Sequence, residues 1–473
     1  MRPIPRPRWP SSRSPRSLDR AATLVSMSDV VARVQQVLPS VRSDLEDLVR
    51  IESVWADPAR RDQVQRSAEA VAKLLSETGF PEVKIVSEGG APAVIAHYPA
   101  PPGAPTVLLY AHHDVQPEGD RSQWLSDPFE PTERDGRLYG RGTADDKAGI
   151  ATHLAAIRAF DGKPPVGVTV FVEGEEESGS PSLGALLAAH RDALAADVIV
   201  IADSDNWSTE QPALTISLRG LADCVVEVAT LDHGLHSGLW GGVVPDALSV
   251  LVRLLASLHD DDGNVAVAGL HEGSAADVDR GPDWVRREAG LLEGVAEIGS
   301  GSVVERMWAK PAVTVIGIDT TPIDRSSNTL IPRARAKVSM RVAPGGDARV
   351  HLDALTRHLE QHVPWGAQLT VTPGDVGQPY AIDSTGPVYD AARAAFAKAW
   401  GTDPVDMGMG GSIPFIAEFA AAFPAATILV TGVEDPGTQA HSINESLHLG
   451  VFEKAATSEA LLLEALAGPV ARR

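Results

Sequence analysis

The stretch "TVLLYAHHDVQPEGD", residues 106–120, runs from five strand-forming residues almost directly into two histidines and an aspartate. Side chains alternate between the two faces of an extended chain, so His112 and Asp114 share one face and His113 takes the other. A carboxylate beside an imidazole fixes the tautomer and orientation of a metal-binding histidine. The pattern predicts a ligand, His112, with its orienting partner, Asp114, while His113 forms part of the wall. A structural histidine pair at a strand end is the alternative at this point.

The rest of the chain predicts an α/β fold. Further short apolar runs bounded by turn residues, typical of buried strands, occur at residues 168–172, 197–202 and 427–431. Helical periodicity is present at residues 29–50, 63–79, 147–160 and 182–195. Strands that alternate with helices in this way form a mostly parallel sheet with helices on both faces.

Beyond residue 213 half-exposed strands replace the buried ones, with helices near residues 245–258 and 351–363. This α+β pattern is typical of a separate, smaller domain. Because the α/β pattern resumes near residue 384, the smaller domain is predicted to be an insertion. The predicted division is a catalytic domain at residues 27–212 and 384–473, and an inserted domain at residues 213–383. The Gly- and Asp-rich segment 261–309 has weak periodicity and is assigned to no element.

Composition limits the function classes. The 473 residues carry a formal net charge of −22, which disfavours binding to nucleic-acid phosphates or anionic membranes. Cys224 is the single cysteine, so an intrachain disulfide is excluded, and its apolar neighbours predict a small buried strand residue. Without an apolar run of about 20 residues or a secretory signal, the predicted compartment is the cytoplasm. Residues 1–26, rich in Arg, Pro and Ser, are predicted to be a disordered arm, with Met27 as an alternative start.

Acidic residues and a further histidine collect at the ends of other predicted elements. They lie in "YGRGTADDKAGI" (139–150), "FVEGEEESGS" (171–180), "VIVIADSDNW" (198–207) and "QAHSINE" (439–445). Each motif by itself also fits a structural role. Asp145 and Asp146 fit helix capping, and the glutamates at residues 173–177 fit a solvated acidic loop.

Five side chains share one predicted location. They follow predicted strands or open a helix, and they are His112, Asp145, Glu177, Asp203 and His441. In an open α/β sheet, ligands bind beyond the carboxyl ends of the strands. Two imidazoles and three carboxylates, without a thiolate, suit Zn²⁺, Co²⁺ or Mn²⁺. With a further glutamate nearby, this set predicts the two-metal site of a hydrolase.

The family resemblance is carried by eight motifs that occur in one order. They are "YAHHDVQP", "GRGTADDKAG", "EGEEESGS", "LRG", "LHSGLWGG", "LIPRARAKVSMRVAP", "GGSIP" and "AHSINE". With them the chain resembles the di-zinc metallopeptidases that include carnosinase-type dipeptidases, aminoacylases and succinyl-diaminopimelate desuccinylase, and most of all the carnosinase-like branch. The resemblance extends from about residue 29 to residue 470. It implies that the inserted domain is a ferredoxin-like lid through which the chain forms a homodimer.

The resemblance also implies roles around two Zn²⁺ ions per chain, with Co²⁺ or Mn²⁺ as alternatives. The ligands would be His112 and Asp203 on one ion, Glu177 and His441 on the other, and Asp145 between them. Glu176 would be the general base, and Asp114 would orient His112. Asp205 competes with Asp203 for the ligand role, and the spacing to "PALTISLRG" favours Asp203.

Residues of the predicted inserted domain, and of the α/β segment that follows it, match the substrate-binding part of the family. His236 in "LHSGLWGG" matches the histidine that a second subunit supplies to stabilise the oxyanion, and His233 ranks below it. Arg341 matches the arginine that binds the substrate carboxylate. The other substrate contacts implied by position are Asn328, Thr329, Gly411 and Ser412.

The implied function is hydrolysis of dipeptides or short peptides that have a free C-terminal carboxylate. Gly408 and Met409 stand where this branch usually carries Arg-Glu, which removes two charges beside the substrate pocket. For that reason an N-acyl-amino-acid deacylase that uses the same metal site is the alternative. A non-catalytic metal-binding scaffold would lack Glu176 or a ligand, and all of them are present.

Overall fold

The computed structural model describes residues 27–274, 278–281, 283–410 and 414–468, so the arm predicted at residues 1–26 lies outside it. Eighteen strands occur in the described ranges: β1 (Glu82–Val86), β2 (Ala93–Tyr98), β3 (Thr106–His112), β4 (Thr132–Arg134), β5 (Arg137–Tyr139), β6 (Gly167–Glu173), β7 (Val198–Ile201), β8 (Ala213–Leu218), β9 (Gly220–Ala229), β10 (Leu235–His236), β11 (Ala312–Asp319), β12 (Thr329–Leu330), β13 (Arg333–Val342), β14 (Gln368–Gly377), β15 (Tyr380–Ala381), β16 (Val405–Met409), β17 (Thr427–Val430) and β18 (Ser446–His448). The α-helices of the same ranges are α1 (Met27–Val49), α2 (Arg61–Thr78), α3 (Lys147–Arg158), α4 (Leu183–Ala189), α5 (Arg191–Leu194), α6 (Ser237–Trp240), α7 (Ala247–Ala256), α8 (Trp284–Glu288), α9 (Ala348–His362), α10 (Pro387–Trp400), α11 (Pro414–Ala422) and α12 (Leu449–Leu466).

Nine of these strands form the large sheet, in the order β1-β2-β6-β3-β7-β17-β8-β15, with β16 paired to β8. Its centre is parallel, because β3 pairs with β6 and β7, and β7 pairs with β17, in that sense. The central strands are buried almost along their whole length, as a parallel sheet covered on both faces requires. The prediction of an α/β fold with a mostly parallel sheet is confirmed.

The alternation of side chains along β3 shows how helices cover both faces of the large sheet. Val107 and Leu109 join one core with residues of α1, α3, α10 and α12. Leu108 and Tyr110 point the other way and join a second core, in which Tyr110 stacks on Phe415 of α11 with ring centroids 4.5 Å apart. In the described part of the chain, no helix is both long and apolar enough to cross a membrane.

A smaller antiparallel sheet has the strand order β11-β13-β9-β14. Alternate side chains of β13 are buried, and α7 and α9 pack on that face. Cys224 of β9 is free and buried in this core, as the sequence predicted. The half-exposed strands recognised in the sequence are therefore those of a sheet that is covered on one face.

The two ends of the predicted insertion, residues 213–383, lie in the large sheet. β8 and β15 pair with each other there, and β8 also pairs with β16 and β17. The predicted boundary at residue 213 places β8 with the smaller domain, whereas β8 pairs with strands of the large sheet that lie far away in the sequence. The small sheet runs from β9 to β14, and the domain division itself stays a prediction.

The last residues of the segment 261–309, which the sequence left unassigned, pack against the large sheet. Trp308 and Val304 form a small apolar cluster with Ala213 of β8 and Met407 of β16. This contact covers the strand in which Gly408 and Met409 lie.

Gly432 provides a test of how closely the loops after β7 and β17 pack. A Cβ atom at Gly432 would lie 1.7 Å from the backbone oxygen of Ser204, which cannot move away as a side chain would. We expect Gly432→Ala to lower the free energy of unfolding by about 2–3 kcal/mol in denaturant titrations. Gly242→Ala is the matched control, since a Cβ there meets no atom within 4 Å. Equal stabilities of the two variants would contradict the close approach.

Candidate metal centre

The predicted ligands lie at the carboxyl edge of the large sheet. His112 is the last residue of β3, and Asp203 follows the end of β7. Glu177 lies in a short 3₁₀ helix after β6, and His441 lies in the loop between β17 and β18. Asp145 precedes α3. Because the parallel strands end at the same edge, five residues distant in sequence meet there.

These residues form two groups that could each hold a metal ion, and Asp145 belongs to both. Its Oδ1 lies 3.0 Å from Nε2 of His112, and its Oδ2 lies 3.0 Å from Nε2 of His441. Asp203 completes the first group, with Oδ1 3.9 Å from Nε2 of His112. Glu177 completes the second group, with Oε2 3.1 Å from Nε2 of His441. Imidazole and carboxylate donors of this kind fit Zn²⁺, Co²⁺ or Mn²⁺.

Asp114 lies between the imidazole of His112 and the short helix that carries Glu176 and Glu177. Its Oδ1 lies 3.4 Å from Nδ1 of His112, and its backbone oxygen lies 3.1 Å from the same nitrogen. Its carboxylate also accepts hydrogen bonds from the backbone N–H groups of Glu176 (3.1 Å) and Glu177 (3.2 Å). This arrangement directs Nε2 of His112 towards Asp145, as expected of a carboxylate that orients a ligand.

Glu176 and Glu177 are neighbours with different surroundings. The Glu177 carboxylate accepts hydrogen bonds from the backbone N–H (2.9 Å) and the side-chain amide (2.8 Å) of Gln116. Glu176 is half-buried, and burial, with repulsion from Asp203 and Glu177, raises its pKa well above the usual range of a glutamate. A carboxyl group in this environment has the raised proton affinity that a general base needs.

The electrostatics of the group point to bound cations. Burial and the carboxylates of Asp145 and Glu177 raise the pKa of Asp203 to about 7. Burial and neighbouring carboxylates likewise raise the pKa of Glu434 well above its usual range. Hydrogen bonds to Asp145 and Glu177 raise the pKa of His441 to about 11. Carboxylates packed this closely away from water require protons or cations between them.

His441 has an unusual backbone. Its φ of 61° lies in the left-handed region that few non-glycine residues adopt. Residues in this region cost free energy and are frequent at functional sites, where the surrounding structure fixes them. Its side chain is the most exposed of the five, with 58% of its surface accessible.

The neighbours Asp145 and Asp146 have different roles, one at the candidate metal site and the other as a helix cap. Asp145 faces the two imidazoles, whereas Asp146 caps α3, because its Oδ1 accepts a hydrogen bond from the N–H of Gly149 at 3.2 Å. Oδ2 of Asp146 accepts a second one from the N–H of His112 at 3.1 Å. His113 points away from the group, and its Nε2 lies 2.8 Å from the backbone oxygen of Pro92.

The sequence reasoning gave no role to Glu445, which holds the backbone at Asp145. Its buried carboxylate accepts hydrogen bonds from Nη1 of Arg141 (2.7 Å) and from the N–H groups of Gly142 (3.1 Å), Ala144 (3.1 Å) and Asp145 (3.2 Å). Glu445 closes the motif "AHSINE", which was a signal, but its partners lie about three hundred residues away.

Three of the predicted substrate-binding residues, His236, Asn328 and Thr329, lie together at a two-stranded sheet formed by β10 and β12. His236 is exposed on β10, which pairs with β12 so that His236 faces Thr329. The N–H of Ser237 donates to the backbone oxygen of Asn328 at 2.9 Å, so these predicted residues lie together. Within the described ranges, no hydrogen bond or ion pair joins His236 to the five ligands.

Arg341 lies near the end of β13, opposite Leu221 of β9 and Ala312 of β11. Arg219 of the "LRG" motif lies nearby, and its Nε donates to the backbone oxygen of Gly410 at 3.2 Å. The predicted contacts Gly411 and Ser412 lie outside the described residues.

The chain is similar to the members of one peptidase family, both in sequence and in fold. The sequence model described as peptidase family M20/M25/M40 matches residues 108–465. A cysteinylglycine-S-conjugate dipeptidase from Corynebacterium striatum is 33% identical over 458 residues, covering 94% of this chain and 99% of that protein. A beta-Ala-His dipeptidase from Rattus norvegicus is 31% identical over 385 residues, covering 76% of each chain. The solved structure of the dipeptidase Dug1p from Saccharomyces cerevisiae has the same fold, with a TM-score of 0.79 at 24% identity over 94% of this chain and 99% of that one.

The carboxylate of Glu445 can be tested by its removal. Glu445→Ala leaves the buried guanidinium of Arg141 without its carboxylate, and we expect a loss of about 3–5 kcal/mol in the free energy of unfolding. It also releases the backbone around Asp145, so the affinity of the site for a metal ion should fall. Glu453→Ala is the control, because within the described residues the carboxylate of Glu453 accepts one hydrogen bond, from Gln35 at an exposed position. Unfolding titrations that give Glu445→Ala the stability of the unaltered chain would contradict this role.

Proposed function

Because this chain belongs to peptidase family M20/M25/M40, as its motifs predicted, we propose that it hydrolyses dipeptides or very short peptides with a free C-terminal carboxylate. The prediction of a hydrolytic, metal-binding enzyme is confirmed by the family match and by relatives named as dipeptidases. The observation that carries the proposal is the meeting of two imidazoles and three carboxylates in two groups that share Asp145. The cytoplasmic location stays a prediction of the sequence.

The proposed cofactor is a pair of Zn²⁺ ions, with Co²⁺ or Mn²⁺ as alternatives. His112 and Asp203 would hold the first ion, Glu177 and His441 the second, and Asp145 both. When bound, the ions lower the pKa of a water molecule and polarise the scissile carbonyl. Two observations support this cofactor. The donor atoms are all nitrogen or oxygen, which suits these metals, and the closely packed carboxylates need positive charge between them.

Glu176 is the proposed general base. Its carboxylate takes a proton from the attacking water, holds it on Oε, and passes it to the nitrogen of the leaving amine. Asp114 keeps Glu176 in reach, because it accepts hydrogen bonds from the N–H groups of both glutamates while it orients His112. A protonated Glu176 is favoured by its half-buried, carboxylate-rich surroundings.

Substrate binding is proposed to involve the small sheet and a second subunit. Arg341 would pair with the substrate carboxylate, with Asn328, Thr329, Gly411 and Ser412 near the substrate. His236 of the partner subunit would donate to the oxyanion. The exposed apolar side chains of Leu239, Trp240 and Val243, next to His236 in the sequence, support a covered surface and hence a homodimer.

An N-acyl-amino-acid deacylase is the second candidate. Both substrates present an amide next to a carboxylate, so Arg341 would serve either reaction. The observation that favours the deacylase is Gly408 and Met409, which replace a charged Arg-Glu pair that is typical of the dipeptidase branch. The relatives named above favour the dipeptidase.

The role of Glu176 is tested with a panel of dipeptides and N-acetyl amino acids on the zinc-loaded protein. We expect Glu176→Ala to lower kcat for dipeptides about 10²–10⁴-fold while the zinc content stays unchanged. The neighbouring variant Glu177→Ala is the comparison, since it should lose both zinc and activity. A fully active Glu176→Ala would exclude the proposed base, and cleavage of acyl substrates alone would identify a deacylase.

The contribution of a second subunit is tested by mixing two inactive variants, His236→Ala and Glu176→Ala. In a mixed dimer one site keeps Glu176 and receives an intact His236 from the other chain. We therefore expect mixing, with subunit exchange, to restore about one quarter of the activity of the unaltered protein. If each site used its own His236, no activity would return, and the proposal of a shared site would be wrong.

A further inference from the structure

A cavity of about 500 Å³ lies beside the candidate metal centre and contains none of the five ligands in its wall. One end is formed by the loops that carry the ligands, with Asp205 two residues after Asp203 and Ala440 directly before His441. Other parts of the wall are formed by β16 and by residues of α8. The volume is in the range of small-molecule sites, about 300–1,000 Å³.

Gly408 shapes the apolar wall of this cavity. A Cβ atom at residue 408 would lie 2.6 Å from Cβ of Trp308, so this tryptophan occupies the space that a side chain would need. Trp308 is nearly buried and packs edge-on against Trp207, with ring centroids 6.0 Å apart. With Met409 beside it, Trp308 presents an apolar and polarisable surface that suits a long thioether or aromatic side chain.

The end nearest the ligands has the opposite character. Asp205 and Glu434 both line it, and their backbones form a parallel β-bridge that holds the two carboxylates side by side. Two arginines also line the cavity. The guanidinium of Arg280 is stacked 3.4 Å from the centroid of Trp207 and donates from Nη1 to the backbone oxygen of the same residue at 2.6 Å. The guanidinium of Arg306 pairs through Nη2 with Glu297 at 2.7 Å. A positively charged ligand group therefore meets two carboxylates at this end of the cavity.

We infer that this cavity binds the residue on the N-terminal side of the scissile bond, with its ammonium group at Asp205 and Glu434 and a large apolar side chain against Trp308 and Met409. The inference rests on the proposed dipeptidase function and names its substrate class. In a dipeptide, the ammonium group and the side chain are both bonded to the carbon next to the scissile carbonyl. Both must lie beside the metal centre when the carbonyl does, and this cavity offers a surface for each.

The side-chain part is tested by filling the cavity with a larger side chain at one of its lining residues, Val285 of α8. Val285→Trp places an indole in the cavity, and we expect kcat/KM for phenylalanylglycine and S-benzylcysteinylglycine to fall about tenfold relative to glycylglycine. Val295→Trp is the matched control: Val295 is also in the segment 261–309, is 45% exposed and lies outside the cavity wall. Its substrate preference should stay that of the unaltered protein. Zinc content and melting temperature report whether both variants are folded.

The ammonium part is tested with Glu434→Gln and a substrate analogue without the amine, 3-phenylpropanoylglycine. We expect KM for phenylalanylglycine to rise about tenfold, while the inhibition constant of the analogue stays unchanged. A purely structural role of Glu434 would weaken both ligands equally and would overturn this assignment.

The outcomes separate the inference from the proposed function. Failure of the unaltered protein to cleave any dipeptide overturns both. Cleavage of dipeptides with a preference that Val285→Trp leaves unchanged overturns only the inference.

Discussion

Asp145 presents one carboxylate oxygen to His112 and the other to His441, at 3.0 Å in each case. This double contact joins the first parallel strand of the site to a loop near the C-terminus, and many neighbouring interactions serve to hold it. Glu445 fixes the backbone of Asp145 from one side, and Asp146 caps the following helix while it accepts from the N–H of His112. The surrounding carboxylates add negative charge, which the protein tolerates only in combination with protons or cations.

The parts of the site that the sequence predicted are those set by local pattern. Buried strands are recognisable because a parallel sheet covered on both faces needs apolar side chains on each. His112 and Asp203 follow such strands, so their convergence at one edge could be foreseen. The assignment of roles within that group came from the resemblance. The local motif did not separate Asp145 from Asp146, and Asp203 was preferred to Asp205 because its spacing to "PALTISLRG" matches the family.

The parts that the sequence missed depend on contacts between distant segments. Glu445 and Gln116 lie within motifs that the sequence singled out, but the residues that they hold, Asp145 and Glu177, are far from them in the chain, so their roles became visible only in the structure. β8 has the alternating pattern of the small sheet, yet its partners β16 and β17 lie about two hundred residues further along the chain. The segment 261–309 has weak periodicity because it covers the cavity wall with individual side chains such as Trp308, and an irregular segment leaves no repeating signal.

β17 lies between β7 and β8 in the large sheet, although β7 and β8 follow each other in the sequence. β8 ends at Leu218, and β17 begins only at Thr427. The ribosome therefore completes β8 long before it makes β17. Until that strand emerges from the ribosome, the facing edges of β7 and β8 lack their common neighbour, and open strand edges pair readily with other chains. The strand that closes this gap leads directly into the loop with His441. Closure of the sheet and completion of the ligand set therefore occur at the same late stage of the chain's synthesis.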